Sequence, residues 1–225
     1  MDIQILKVLC GSRAHGLHRP DSDYDYRAVY VIPTSEMLSL DFKPRNTNWI
    51  EGKEDNTSYE IGHFLFLATK SNPSILEVFV APIPDFDSRS VYEKSLAIEL
   101  RNLFPYVWNP KNAYDAFVGY GINQRKKMLE NHLDRWQKYA VAYVRTLYNL
   151  IDLLQTSTFK LEVSDPRRKQ RCEDIREGKI SIGEIIDITN ELERMAKIYL
   201  PLAKNTQDLN KVNNFLLTVR KTFWS

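Results

Sequence analysis

The feature of this sequence that most restricts its fold is a polar loop between two apolar runs near the N-terminus. Residues 3–9 are apolar apart mainly from Lys7, and residues 26–32 (YRAVYVI) are β-branched and aromatic and stop at Pro33. Both runs predict buried strands. The loop between them, GSRAHGLHRPDSDYD, holds two glycines, two histidines and three aspartates. It is therefore either an ordinary surface loop or an active site.

The segments that follow predict further strands and helices. Residues 48–59 are polar and weakly alternating, which fits a hairpin turning at Gly52 or a strand ending near Asp55. Thr57 and Glu60 have the spacing of a capping box and predict a helix that begins with Thr57 as its N-cap. Ile75–Val80 predicts a second short element. The N-terminal part therefore combines strands and helices.

Helical spacing dominates from about residue 90 onward. Residues 112–129 and 131–154 predict two long helices, and Ser181 predicts the start of another over 182–199. We therefore expect an α+β protein, with a domain of strands and helices over residues 1–88 and a helical domain over residues 89–225.

Composition narrows the class of protein. The 225 residues carry a net charge of +2, so no global field indicates a nucleic-acid or membrane partner. Two cysteines, Cys10 and Cys172, are too few for a disulfide framework or a zinc site and indicate a reducing compartment, the cytoplasm. Met1-Asp2 leads straight into a strand-like run, so we expect no signal peptide. No apolar run approaches the roughly 18 residues that span a bilayer.

Two carboxylates at the mouth of the second strand give the polar loop a chemical interpretation. Asp23 and Asp25 are two residues apart, so in an extended chain they share one face and repel each other unless a cation lies between them. Carboxylate pairs of this kind suit Mg²⁺ or Mn²⁺ together with substrate phosphates. Gly11 and Ser12 follow a strand and open a turn, where backbone N–H groups can approach an anion. Turn-forming residues such as Pro20 also fit a plain loop, but the order of the parts favours a nucleotide–metal site.

This order of motifs resembles the DNA polymerase β-like nucleotidyltransferase superfamily, and within it the bacterial and phage nucleotidyltransferases linked to RNA repair. The resemblance covers most of the chain and is strongest over residues 10–80. The matching motifs are GSRAHG (11–16), DSDYDYR (21–27), YE (59–60), SNP (71–73), LE (76–77), FVGY (117–120) and IREG (175–178).

The resemblance implies a small mixed-sheet catalytic domain with a defined set of site residues. Gly11 and Ser12 would hold the triphosphate of a nucleotide, and Asp23 and Asp25 would bind two Mg²⁺ or Mn²⁺ ions. A third carboxylate on a neighbouring strand would help to activate the attacking hydroxyl and bind metal. Asp55 is the first choice for it, Glu60 is the rival, and Glu54 comes third.

Several basic side chains are candidates for phosphate contacts. Arg13 and His15 lie inside the presumed cradle, where a solvated loop is the alternative, and Arg27 would steady a carboxylate or a phosphate. In the helical part, Lys138, Arg145 and Arg176 either face the cleft and hold nucleotide or acceptor phosphates or are solvated. The basic run 167–171 predicts a solvated loop, with an RNA-binding edge as the alternative. Relatives often carry a histidine four residues after the lysine, where this chain has Ala142.

The resemblance implies transfer of a nucleoside monophosphate from a nucleoside triphosphate to an acceptor hydroxyl. An RNA or tRNA end is the first expectation for the acceptor. Transfer to a protein or small molecule, as by an adenylyltransferase, is the alternative within enzymes. A nucleotide- or RNA-binding module without catalysis is the alternative outside them, although the presence of all three carboxylates argues against it.

Overall fold

The N-terminal strands form one mixed sheet, in which the strands lie in the order first, second, fourth and third along the chain. The computed structural model describes residues 3–42, 47–51, 54–84, 91–131 and 133–225, with residues 47–51 and 91–93 as backbone only. The strands are β1 Ile3–Cys10, β2 Tyr24–Val31, β3 Thr47–Glu51 and β4 Glu54–Glu60. β2 is antiparallel to β1 and parallel to β4, and β3 is antiparallel to β4. The two predicted strands and the hairpin are confirmed, while Gly52, its expected turn, lies outside the described residues.

Helices make up the rest of the described secondary structure. They are α1 Gly11–Ala14, α2 Thr34–Met37, α3 Ile61–Thr69, α4 Pro73–Leu76, α5 Val91–Arg101, α6 Phe104–Val107, α7 Pro110–Glu130, α8 Trp136–Thr156, α9 Pro166–Arg176, α10 Ile182–Tyr199 and α11 Leu209–Thr222. Short 3-10 turns cover Glu77–Phe79 and Leu200–Leu202. Because every described element from residue 91 onward is helical, the predicted α+β class is confirmed.

The predicted start of α3 was wrong. Thr57 lies inside β4, where it pairs with Arg27, and the strand continues to Glu60. Glu60 is itself the N-cap, since its carboxylate accepts a hydrogen bond from the Gly62 N–H at 2.7 Å. The hydrogen bonds between β4 and β2 satisfy the backbone N–H and C=O groups along the strand. This pairing therefore overrides the local capping pattern at Thr57.

Two further expectations in the helical part are corrected. The basic run 167–171 is part of α9 and not a loop, because Asp165 caps this helix by accepting from the Arg168 N–H at 2.8 Å. Arg168 also pairs with Asp152 at 2.8 Å. The second long helix begins at Trp136 and not at residue 131. The predicted helix over 182–199 is confirmed, with Ser181 and Glu184 forming its capping box.

One hydrophobic core joins the sheet to the helices. Its buried side chains run from Ile5 on β1 to Phe223 after α11, with the central helix α8 contributing most of its length. A polar contact also joins α5 to the 3-10 turn after α4, since Arg101 donates to the Phe79 carbonyl at 2.6 Å. In the part of the chain that is described, none of the helices has the length and apolar character needed to cross a membrane.

The packing of α7 on α8 yields a stability prediction. A Cβ at Gly121 would lie 2.7 Å from Cε2 of the buried Tyr143, whose hydroxyl is held by Glu193 at 2.7 Å. Gly121→Ala should therefore lower the free energy of unfolding by about 1–3 kcal/mol through overpacking. Gly119→Ala is the matched control, because its Cβ meets no atom within 4 Å; it should raise stability by up to about 1 kcal/mol. Urea denaturation measures both, and equal effects would contradict the packing described.

Candidate active site

Three strands contribute one row of side chains at one end of the sheet. Asp25 on β2 is the register partner of Cys10 on β1 and of Asp55 on β4. Because paired residues in neighbouring strands point to the same face of a sheet, the three side chains lie side by side. Asp23 precedes β2 by one residue and is exposed. The structure thus places Asp25 and Asp55 side by side, with Asp23 near enough for its charge to act on Asp25.

Strand register separates the three candidates for the third carboxylate. Glu54 pairs with Tyr24 and so lies on the opposite face from Asp25, where it is 3.9 Å from Lys7 Nζ. Glu60 pairs with Tyr30, five positions beyond Asp25, which is about 16 Å along the strand. Its carboxylate is engaged by the Gly62 N–H and by Arg220 at 2.7 Å. Asp55 alone of the three has the face and the position of a partner for Asp25.

The turn after β1 fits closely against the carboxylate row. Gly11 opens α1 with a φ of +64°, and a Cβ at this position would overlap the carboxylate of Asp25. Glycine is required here twice, by the left-handed backbone and by the close approach of Asp25. Leu17 N–H donates to the Ser12 carbonyl at 2.9 Å and closes the turn. Gly11 and Ser12 therefore lie directly beside Asp25.

The electrostatics of Asp25 show an uncompensated cluster of negative charge. Burial raises the pKa of Asp25, the charge of Asp55 raises it further, and Asp23 adds to the same effect. Lys138 and Arg27 lower the pKa but do not cancel the increase. Carboxylates in such an arrangement repel one another until a cation neutralises them.

One face of α8 forms the wall opposite the carboxylates. Lys138, Ala142, Arg145 and Asn149 follow helical spacing and share this face. Lys138, in the first turn and exposed, acts on Asp25, whereas the side chain of Arg145 is only 11% exposed and lies 3.9 Å from Glu77. The two predicted nucleotide ligands thus differ in burial, since Lys138 is exposed and Arg145 is mostly buried beside Glu77. Ala142 lies between them and carries no polar group.

A buried carboxylate that the sequence did not single out as a site residue lies beneath this cleft. Glu77 is 4% exposed and contacts His15 Nε2 at 3.2 Å, the Arg27 guanidinium and Arg145. Burial alone would raise the pKa of Glu77, but Arg27, His15 and Arg145 together lower it. Burial and Arg145 lower the pKa of His15 to about 4, so a neutral His15 donates its Nε2–H to Glu77. The available signal was a single acid inside the apolar run ILEVFV.

Two other side chains of the site have defined structural roles. Arg13 donates to the Ser22 carbonyl at 2.7 Å and lies 3.9 Å from the ring centroid of Tyr24, which fixes the loop ahead of Asp23. Arg176 of α9 donates to the Leu17 carbonyl and ties the helical part to the same loop.

Burial and then Glu77 raise the pKa of Cys10 to about 12, so its thiol stays protonated beside Asp25.

The donor set suits a hard divalent cation whose coordination is completed by a substrate. Carboxylate oxygens are the ligands that Mg²⁺ and Mn²⁺ prefer. Among the described residues, however, no three His, Cys, Asp or Glu side chains come close enough to hold a metal ion by themselves. Mg²⁺ is commonly held by one or two carboxylates plus substrate phosphates rather than by an all-protein cage. The open row of Asp25 and Asp55 with the turn beside it has this form.

Comparison with known proteins agrees with the fold and the motifs. The sequence profile of the RNA repair pathway DNA polymerase beta family matches residues 3–216. This chain belongs to that family. It is also similar to the uncharacterized protein YcgL of Bacillus subtilis (strain 168), with 24% identity over 242 residues that cover 98% of this chain and 90% of that protein. The family relationship places the chain among DNA polymerase β-like proteins linked to RNA repair.

The raised pKa of Asp25 predicts a pH-dependent cost to folding. Its folded-state pKa lies above the ordinary value of 3.8, so stability falls as pH rises through the interval between the two values and the cost persists above it. Asp25→Asn should therefore raise the melting temperature by a few degrees at pH 7 in metal-free buffer, and this gain should vanish below about pH 3.8. Thermal melts with EDTA measure this. Asp21→Asn, in the exposed turn, should leave the melting temperature unchanged, and an equal gain there would contradict the assignment.

Proposed function

We propose that the protein is a metal-dependent nucleotidyltransferase that moves a nucleoside monophosphate from a nucleoside triphosphate to a hydroxyl at an RNA end. The observation that carries the proposal is the pairing of Asp25 with Asp55 across β2 and β4, with the Gly11 turn packed against the Asp25 carboxylate. A purely structural site would gain nothing from a half-buried Asp25 whose pKa is raised by burial and by the neighbouring charge of Asp55.

The residues of the sheet hold the reacting groups. Gly11 and Ser12 accommodate the triphosphate, because a glycine turn lets phosphate oxygens approach the backbone. Asp23 and Asp25 supply oxygen ligands for two divalent ions, Mg²⁺ or Mn²⁺, and Asp55 orients the acceptor hydroxyl. Bound divalent ions would neutralise the phosphates and lower the pKa of that hydroxyl.

The residues of α8 hold the substrate from the opposite wall. Lys138 is exposed at the rim, within electrostatic reach of Asp25, and binds a phosphate of the nucleotide. Arg145 lies deeper, and its sole ion pair among the described residues is the 3.9 Å contact with Glu77. A guanidinium has five N–H donors, so Arg145 has donors left for a phosphate that enters the cleft.

The reaction is an in-line displacement at the α-phosphate. A bond forms between the acceptor oxygen and the α-phosphorus, and the bond from that phosphorus to the bridging oxygen breaks, which releases pyrophosphate. The proton of the acceptor hydroxyl passes to Asp55 and then to solvent. Positioning and charge neutralisation supply most of the catalysis in such transfers.

An RNA acceptor is favoured because the family is described as part of an RNA repair pathway. The test incubates the protein with each labelled nucleoside triphosphate, Mg²⁺ or Mn²⁺, and either total RNA or a protein extract. Label in RNA is the expected result. Label in protein or in a small molecule would show that the acceptor is not RNA. No label in any fraction would favour a nucleotide- or RNA-binding module without catalysis.

Carboxylate variants test the assignment of the site. Asp23→Ala, Asp25→Asn and Asp55→Asn should each lower the transfer rate by about 10³-fold, since each removes several kcal/mol of charge stabilisation. Single-turnover transfer of labelled nucleotide measures the loss. Asp21→Asn, two residues from Asp23 but in the exposed turn, should keep the wild-type rate. Full transfer by any of the first three variants would remove that residue from the mechanism.

A further inference from the structure

The buried carboxylate of Glu77 receives one contact from each of three elements that build the cleft. His15 follows α1, Arg27 lies on β2 and Arg145 lies on α8. A buried ion cluster of this kind seldom stabilises a protein more than apolar residues of the same volume would. A cluster directly beneath the proposed site therefore calls for a role beyond stability.

Arg27 is the partner with the most direct connection to the site. It lies two residues after Asp25 on the same strand, so both side chains share one face of the sheet. The charge of its guanidinium acts on Asp25, although burial and Asp55 leave the pKa of Asp25 raised. Contacts with Glu77 and with the Ser74 carbonyl hold the guanidinium on the core side of Asp25.

The charge balance shows what Glu77 prevents. Arg27 and Arg145 are positive, Glu77 is negative and His15 is neutral, so the cluster carries one net positive charge. Without Glu77 two guanidinium groups would be left without a counter-ion. Asp25, two residues earlier on the same face of β2, is within electrostatic reach of Arg27, and an Arg27–Asp25 ion pair would occupy the oxygens proposed to bind metal.

We propose that Glu77 is a positioning residue that holds Arg27 away from Asp25 and so keeps the carboxylate row free for a divalent ion. This inference rests on the proposed function, because it assumes that Asp25 is a metal ligand. It assigns to Glu77 an effect on metal affinity that acts through Arg27, which a role in packing alone would not produce.

The experiment measures binding of Mn²⁺ to the full chain, added alone and together with ATP as a probe nucleotide whose phosphates complete its coordination, by the enhancement of the water proton relaxation rate. Glu77→Gln keeps the shape of the side chain and should weaken Mn²⁺ binding by about 10-fold to 100-fold, the usual effect of a cation that pairs with a carboxylate. The double variant Glu77→Gln with Arg27→Met removes the competing guanidinium and should bind Mn²⁺ within about threefold of wild type.

Three comparisons make the outcome decisive. Asp152→Asn breaks another ion pair, with Arg168 at 2.8 Å, and should leave Mn²⁺ affinity unchanged. Arg27→Met alone should bind Mn²⁺ as tightly as wild type or more tightly, and this arm decides if Glu77→Gln does not fold by circular dichroism. A loss of affinity in Arg27→Met, or no rescue in the double variant, would overturn the inference.

Failure of the proposed function has a different signature. If wild type bound no Mn²⁺ even in the presence of ATP, or if Asp25→Asn bound it as well as wild type, the metal site itself would be wrong and the inference about Glu77 would be overturned with it. If wild type bound Mn²⁺, Asp25→Asn did not, and Glu77→Gln bound normally, then the role of Glu77 alone would be overturned.

Discussion

The buried carboxylate of Glu77 is the constraint on which the rest of the site depends. An ionised acid with 4% exposure must be paired, because desolvation of an isolated charge costs far more than the net stability of a domain. Its partners come from the α1 turn, β2 and α8. The contacts of Glu77 therefore hold α8, β2 and the loop after α1 in fixed positions relative to one another. The geometry of the proposed site depends on these positions.

Strand register then decides which carboxylates meet. Asp25 and Asp55 are partners in the parallel ladder of β2 and β4. A slip of one position would turn Asp55 to the outer face and bring Glu54 in its place. The tyrosine at position 59 and the valine at position 29, paired further along the same face, are packed against the core and resist such a slip. The hydrophobic core thus sets the spacing of the charged row.

The sequence predicted the elements whose signals are local. Two strands, the hairpin and the Ser181 capping box followed from alternation, apolar runs and cap chemistry. The start of α3 did not, because the pairing of β4 with β2 is a long-range interaction that overrode a local capping pattern at Thr57. For the site, the spacing of Asp23 and Asp25 indicated a carboxylate pair, and the resemblance to polymerase β-like proteins added Asp55. The partners of Glu77 could not be predicted, since they are brought together by tertiary packing over 62 residues from His15 and 50 from Arg27.

Under the proposed mechanism, the charges of the site determine which form of the nucleotide it binds. Asp23, Asp25 and Asp55 outnumber the one lysine that acts on Asp25 from the opposite wall, so the sheet side repels a bare triphosphate and attracts divalent cations. The cluster around Glu77 carries a net positive charge and lies deeper. A metal–nucleotide complex satisfies both sides, with its cations toward the carboxylates and its phosphates toward Lys138 and Arg145. In the free protein, burial and then the repulsion from Asp55 raise the pKa of Asp25, and binding of the complex would remove the repulsion.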